Sequence, residues 1–208
     1  MNKILKWTLI TLGSGAIIFV CFWIYTLIVF SSVFDKKYSK EDLIKNYIAN
    51  TKAIDDLKNY VSKAIPSNKS VDIEFDGDNS LAYFHVIVDG GYDSNWNIKL
   101  GSRKVDTLLN ELGWTRKDLS TLKEKLNNAN CISVKSGEPF TIGCQRSGMG
   151  MYSYKLFNHS LSDSLKRKYN DGCNYLYYKE NVVLEYGGGF MGPQCFEDFK
   201  ADVVDNNH

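Results

Sequence analysis

The sequence predicts an α+β protein, mostly antiparallel sheet with helices packed on one face, preceded by one N-terminal transmembrane helix. Three observations carry this. Trp7–Phe30 is an uncharged apolar run of roughly 24 residues, enough to cross a bilayer core, which takes about 20. Short runs rich in β-branched and aromatic residues are bounded by Gly, Asn and Asp, as strands and hairpin turns are. Between them lie segments with apolar residues at helical spacing and Ser or Thr at their starts. The resulting division is an N-terminal flank (1–6), an anchor (7–30), a juxtamembrane spacer (31–38), one extracytoplasmic α+β domain (39–199) and a polar tail (200–208).

The apolar run is read as an uncleaved anchor. A signal peptide has an h-region of about 7–15 residues ending in small residues. Here Gly13, Ser14, Gly15 and Ala16 fall mid-run and apolar sequence resumes at Ile17. Val20 before Cys21 does not suit a lipoprotein cleavage site, and uniform apolarity does not suit a helix with one solvated face. Flanking charge is nearly balanced: Lys3 and Lys6 precede the run, whereas Lys36, Lys37 and Lys40 follow it among Asp35, Glu41 and Asp42. Orientation therefore leans on the cysteines.

Within the domain, Ser39 and Asp42 form a capping box, and Leu43, Tyr47, Ile48, Thr51, Ile54, Leu57, Tyr60, Val61 and Ile65 recur helically until Pro66. Val71–Phe75, Leu81–Val88 and Trp96–Leu100 read as a three-stranded meander, separated by Asp- and Gly-rich turns. Val105–Leu112 is a helix stopped by Gly113, and Thr115 with Asp118 caps the next, which is lined by Leu119, Leu122 and Leu126. Cys131–Lys135 and Phe140–Arg146 flank a four-residue hairpin loop, with Lys135 opposite Phe140. Met151–Phe157 adds a strand, and Ser160–Tyr169 a short helix capped by Ser160. Asn174–Lys179 and Val182–Tyr186 form a hairpin turning at Glu180-Asn181, with Tyr175, Tyr177, Val182, Leu184 and Tyr186 expected on the core face.

Four cysteines lie beyond the anchor, an even number that fits two disulfides outside the cytoplasm. The hairpin register puts Cys131 opposite Cys144, within bridging distance. That leaves Cys173 with Cys195, brought back by Gly187–Gly189 and Gly192. Zinc is the competing reading, but no C-x-x-C spacing exists and the histidines are scattered. Free buried thiols are the plain alternative.

Charge excludes a further class. All 24 acidic residues follow Phe30, with all but Lys3 and Lys6 of the 25 basic ones, so the domain is near neutral and has no stripe for nucleic-acid phosphates. No cofactor or metal motif is present. Ser147 lies in Gln145-Arg-Ser-Gly-Met-Gly150 with His159 nearby, which is not a nucleophile elbow. The Asp76/Asp78 pair lacks the spacing of a calcium loop, and His85 is a lone strand histidine. Glu185 alternates out of an apolar face and is a candidate for paired-carboxylate chemistry. Met149, Met151, Phe190 and Met191 are candidates for an apolar partner surface.

The blocks CISVKSGEPFTIGCQRSGMG and NVVLEYGGGFMGPQC resemble segments of small, uncharacterised, membrane-anchored bacterial proteins. The resemblance implies no activity and no catalytic residues. The expectation is a membrane-tethered extracytoplasmic binding module for a protein or envelope ligand, single-pass in the cell membrane; an immunity-type inhibitor is one concrete form. The alternative is an envelope hydrolase using paired carboxylates.

Overall fold

The computed structural model describes residues 16–26, 38–88, 91–148, 150–188 and 195–196. The chain divides into two compact units, residues 1–37 and 38–208. In the first, residues 16–26 form helix α1, whose large apolar side chains from Ile17 to Tyr25 stand exposed. Among the described residues no helix is long and apolar enough to cross a membrane. Residues 7–15 and 27–30 of the expected anchor, most of the spacer and the polar tail lie outside the described residues.

The second unit opens with α2 (Lys40–Ala64). Ser39 Oγ accepts from the Asp42 amide at 3.1 Å, and the Asp42 carboxylate accepts from the Ser39 amide at 3.0 Å, which satisfies two otherwise orphaned donors. Leu43, Tyr47, Ile54, Leu57 and Val61 are buried; Ile48, one step round from Tyr47, is exposed. Helices α3 (Arg103–Leu112) and α4 (Arg116–Asn128) follow the meander. Gly113 ends α3 at φ +80°, a conformation that favours glycine, and Thr115 with Asp118 completes the capping box of α4.

The described strands are β1 (Lys69–Asp76), β2 (Ser80–Val88), β3 (Gly91–Asp93), β4 (Trp96–Lys99), β5 (Ser133–Lys135), β6 (Phe140–Ser147), β7 (Gly150–Leu156), β8 (Tyr175–Lys179) and β9 (Val182–Gly188). They form one antiparallel sheet in the order β3-β2-β1-β5-β6-β7-β9-β8, and β4 also pairs with β2. Helices α2, α3 and α4 cover one face. Their apolar residues share a single core with Val71, Ile73, Phe84, Val134, Ile142, Tyr152, Tyr154 and Leu184.

The structure departs from the sequence reading in two registers and one helix cap. Lys135 pairs with Thr141, not Phe140, so the β5–β6 loop is one residue longer than expected. The reason is that a one-residue slip exchanges faces. The observed register buries Phe140 in the core and leaves Thr141 outside with Lys135. Cys131 is then no longer opposite Cys144, and both are free, buried thiols. In the β8–β9 hairpin a bulge between Tyr177 and Lys179 shifts the pairing. Leu176 and Tyr178 therefore pack on the main core. Tyr175 and Tyr177 join Phe157, Leu161, Tyr169 and Val183 in a satellite cluster.

Finally, α5 (Asp163–Lys168) is capped by Ser162 rather than Ser160. The Leu161 amide is held by Glu180 O at 2.8 Å and its side chain is buried, so the helix can only begin after it. That satellite cluster sits on the face the larger helices leave open, flanked by α5, which has no buried residue of its own.

The Cys173–Cys195 disulfide is present. It ties the β8 entry to Phe196, which packs against both rings of the stacked Tyr152–Tyr186 pair in the core. Closing a loop across 22 residues contributes about 3 kcal/mol in the chain-entropy account.

Candidate functional site

An antiparallel sheet with helices on one face usually turns an exposed polar face to water. Here the polar floor is buried instead. Glu74, His85, Ser133 and Ser153 are all under 5 % exposed. Two cross-strand rows build it. One runs Trp96–Tyr83–Glu74–Ser133–Gly143–Ser153–Glu185–Tyr175. The next runs His85–Asp72–Lys135–Thr141–Lys155. Bulges in the β1–β2, β6–β7 and β8–β9 ladders bend the strands. The small residues at mid-row leave a trough of about 290 Å³. Gly143 lines it with no room for a side chain: a Cβ there would lie 2.1 Å from Ser133 Oγ and 2.8 Å from Met151 Sδ.

Three carboxylate–cation pairs furnish the trough. Arg146 crosses the short β5 to give both oxygens of Glu74 a hydrogen bond, Nη2 to Oε2 at 2.6 Å and Nε to Oε1. These bonds hold the guanidinium pKa above its ordinary value. Lys135 lies 3.3 Å from Asp72, which also accepts from the Tyr83 hydroxyl. Glu185 accepts from Ser153 Oγ and from Lys155, each at 2.9 Å, and from Tyr175. Burial, and then the neighbouring carboxylates, push both phenols up, Tyr175 to about 12.

One end of the trough is aromatic. Tyr83 and His85 stack with ring centroids 4.9 Å apart, and Trp96 meets both edge-on at 5.4 and 5.0 Å. Trp96 Nε1 donates to Ser94 Oγ, yet the residue remains 62 % exposed. The other end is closed by the satellite cluster carrying Tyr175 and Tyr177.

The sequence-derived candidates fare unevenly. Met151 and Glu185 both line the trough. Met149, Phe190 and Met191 lie outside the described residues. Cys173 and Cys195 are bonded. Cys131 and Cys144 share a hydrogen bond in the core beside Tyr154, where burial first and Cys131 second push the Cys144 thiol up. Ser147 is buried at the end of β6, whereas His159 is exposed in the loop after β7. Asp78 pairs with Lys123 at 2.9 Å in its turn. Among the described residues no group of three His, Cys, Asp or Glu side chains could hold a metal ion.

Glu74, Arg146, Asp72, Ser133 and Ser153 were not singled out from sequence. Their signal is the polar alternation in Val71-Asp-Ile-Glu-Phe75 and Tyr152-Ser-Tyr-Lys155, which marks a polar face without telling that it is concave.

The arrangement suits holding more than proton transfer. Glu74 and Glu185 stand four strand spacings apart, roughly 19 Å, against about 5–9.5 Å for a glycosidase pair. Asp72 and Glu74 are adjacent on one face of β1, but both oxygens of Glu74 are engaged by Arg146. The fold and trough thus define an α+β domain with a polar concavity on the open side of its sheet. The chain matches no protein-family model, no curated protein sequence and no solved structure.

Proposed function

We propose that this chain is a membrane-tethered binding module, displayed outside the cytoplasm, that holds a polar protein or envelope ligand in the trough. The observation that carries the reading is the buried polar floor, with the Glu74 carboxylate at its base and partly exposed ion pairs around it. Lys, Glu, Arg and Asp are seldom buried without a partner, and desolvating such pairs is an expensive way to stabilise a sheet. An apolar or fully solvated face would serve the fold as well. The uncharged stretch 7–30 and the exposed apolar side chains of α1 support the tether. The Cys173–Cys195 bridge supports an oxidising compartment. An inhibitor of a secreted toxin remains one concrete form of such a module.

The test is site-specific photocrosslinking in cells of the source organism. A photoreactive residue at Thr141, in the trough, should give a discrete adduct. The same residue at Lys52, exposed on α2, should not. Adducts from Lys52 alone would move the binding surface to the helices and end this reading.

A further inference from the structure

We propose that the ligand of the trough is a neutral saccharide, with one ring stacked on Trp96 and the hydroxyls of the next held by the charged pairs. This rests on the trough being the binding surface. Charge is the first argument. Of the groups lining the trough, Asp72 is matched by Lys135, Glu185 by the adjoining Lys155, and Arg146 by Glu74 buried beside it. A ligand bringing net charge would have to break one of these pairs, and a phosphate or a strongly charged peptide finds no unmatched counter-ion among them. A neutral ligand meets acceptors and donors side by side. A sugar hydroxyl both donates and accepts, so vicinal hydroxyls can bridge a carboxylate and the cation beside it by charge-assisted hydrogen bonds.

The aromatic end is the second argument. An indole exposed over most of its surface has no role in the core, and Tyr83 with His85 fixes it from one side. Its π-face is electron-rich and accepts the polarised C–H groups of a pyranose. Trp96, Tyr83 and Glu74 are consecutive in one cross-strand row, so the stacking platform and the hydrogen-bonding floor are neighbours.

Peptide is disfavoured by the backbone. Strand addition needs a free sheet edge, whereas the trough lies on the face of β1, β5, β6, β7 and β9, whose main-chain groups are already paired. Met151 is the one large apolar side chain among the trough-lining residues that could receive an apolar anchor. The volume, about 290 Å³, is at the small end of ligand sites, near 300–1,000 Å³. It fits a short stretch of a chain that continues out past Trp96.

The experiment uses the full chain in lipid nanodiscs, titrated with cellohexaose, chitohexaose, maltohexaose and mannohexaose while tryptophan fluorescence and heat are recorded. At least one should bind and shift the emission. Trp96→Ala should weaken it about tenfold or more, as loss of an aromatic anchor does. Lys135→Met, at a largely exposed cation, should weaken it severalfold, and both variants should keep the wild-type circular dichroism. Binding by none of the four, or binding indifferent to both variants, overturns the proposal. If the sugars fail while Thr141 crosslinks a protein, the trough stands as the binding surface and only the saccharide is wrong. If both fail, the surface itself falls.

Discussion

Removing Arg146 should hurt the fold more than removing its partner. Glu74 is almost wholly buried, with a side chain 3 % exposed, whereas the Arg146 side chain is 38 % exposed. Arg146→Met leaves a carboxylate in the floor of the sheet with neither of its two charge-assisted bonds. Deleting one member of a fully buried pair costs about 3–5 kcal/mol. Since Arg146 is partly solvated, its pairing is screened, and the figure falls to about 2–3 kcal/mol. Glu74→Met leaves a guanidinium that water already reaches, so its cost should stay near 1 kcal/mol or below. The double variant should resemble Glu74→Met, because an apolar pair of similar volume replaces the ion pair. Urea unfolding of residues 38–208 with the disulfide intact reads this directly. At a slope near 2–3 kcal/mol/M, Arg146→Met should lower the midpoint by about 1 M. Equal losses from the two single variants, or additive losses in the double, would refute the claim that burial of the Glu74 carboxylate dominates the pair.

Further outcomes follow from the same geometry. Gly143→Ala should cost about 1–3 kcal/mol, since its methyl meets Ser133 Oγ and Met151 Sδ, and Ser133→Ala added to it should recover much of that loss in thermal melts. Alkylation in denaturant without reductant should label Cys131 and Cys144 but spare Cys173 and Cys195. In native buffer Cys144 should react slowly, because burial keeps its thiol protonated. Tyr47 is raised to about 12 by burial, then by Asp55. The native state thus retains its proton where the unfolded chain, at the ordinary value of 10, has lost it. The stability this confers is complete below pH 10 and is lost as pH rises towards 12, by about 1.4 kcal/mol per unit. Cooperative phenolate formation should accompany alkaline unfolding, and Tyr47→Phe should delay it.

Much of the fold was legible in the sequence because helix caps and turns are local. Ser39 with Asp42, Thr115 with Asp118, and Gly113 each act within a few residues, and α2 begins, α3 ends and α4 begins where those residues place them. β1, β2 and β4 of the meander and the existence of the β8–β9 hairpin, though neither its register nor strand β3 within the expected turn, were likewise readable from period-two alternation and short turns. The pairing of Cys173 with Cys195, expected by exclusion once Cys131 is set opposite Cys144, is present, although Cys131 and Cys144 themselves are free.

What the chain alone could not decide is every feature that depends on the sheet as a surface. Register in β5–β6 is set by which face Phe140 finds apolar, so a one-residue error moved Cys131 away from Cys144. The trough is a sum of bulges and small side chains on separate strands. Its central contact, Arg146 on Glu74, joins residues 72 apart. Alternation tells that a face is polar. Whether that face bends inward and buries a carboxylate such as Glu74 is settled by twist and packing across strands far apart in the chain, and that is where this protein keeps its candidate site.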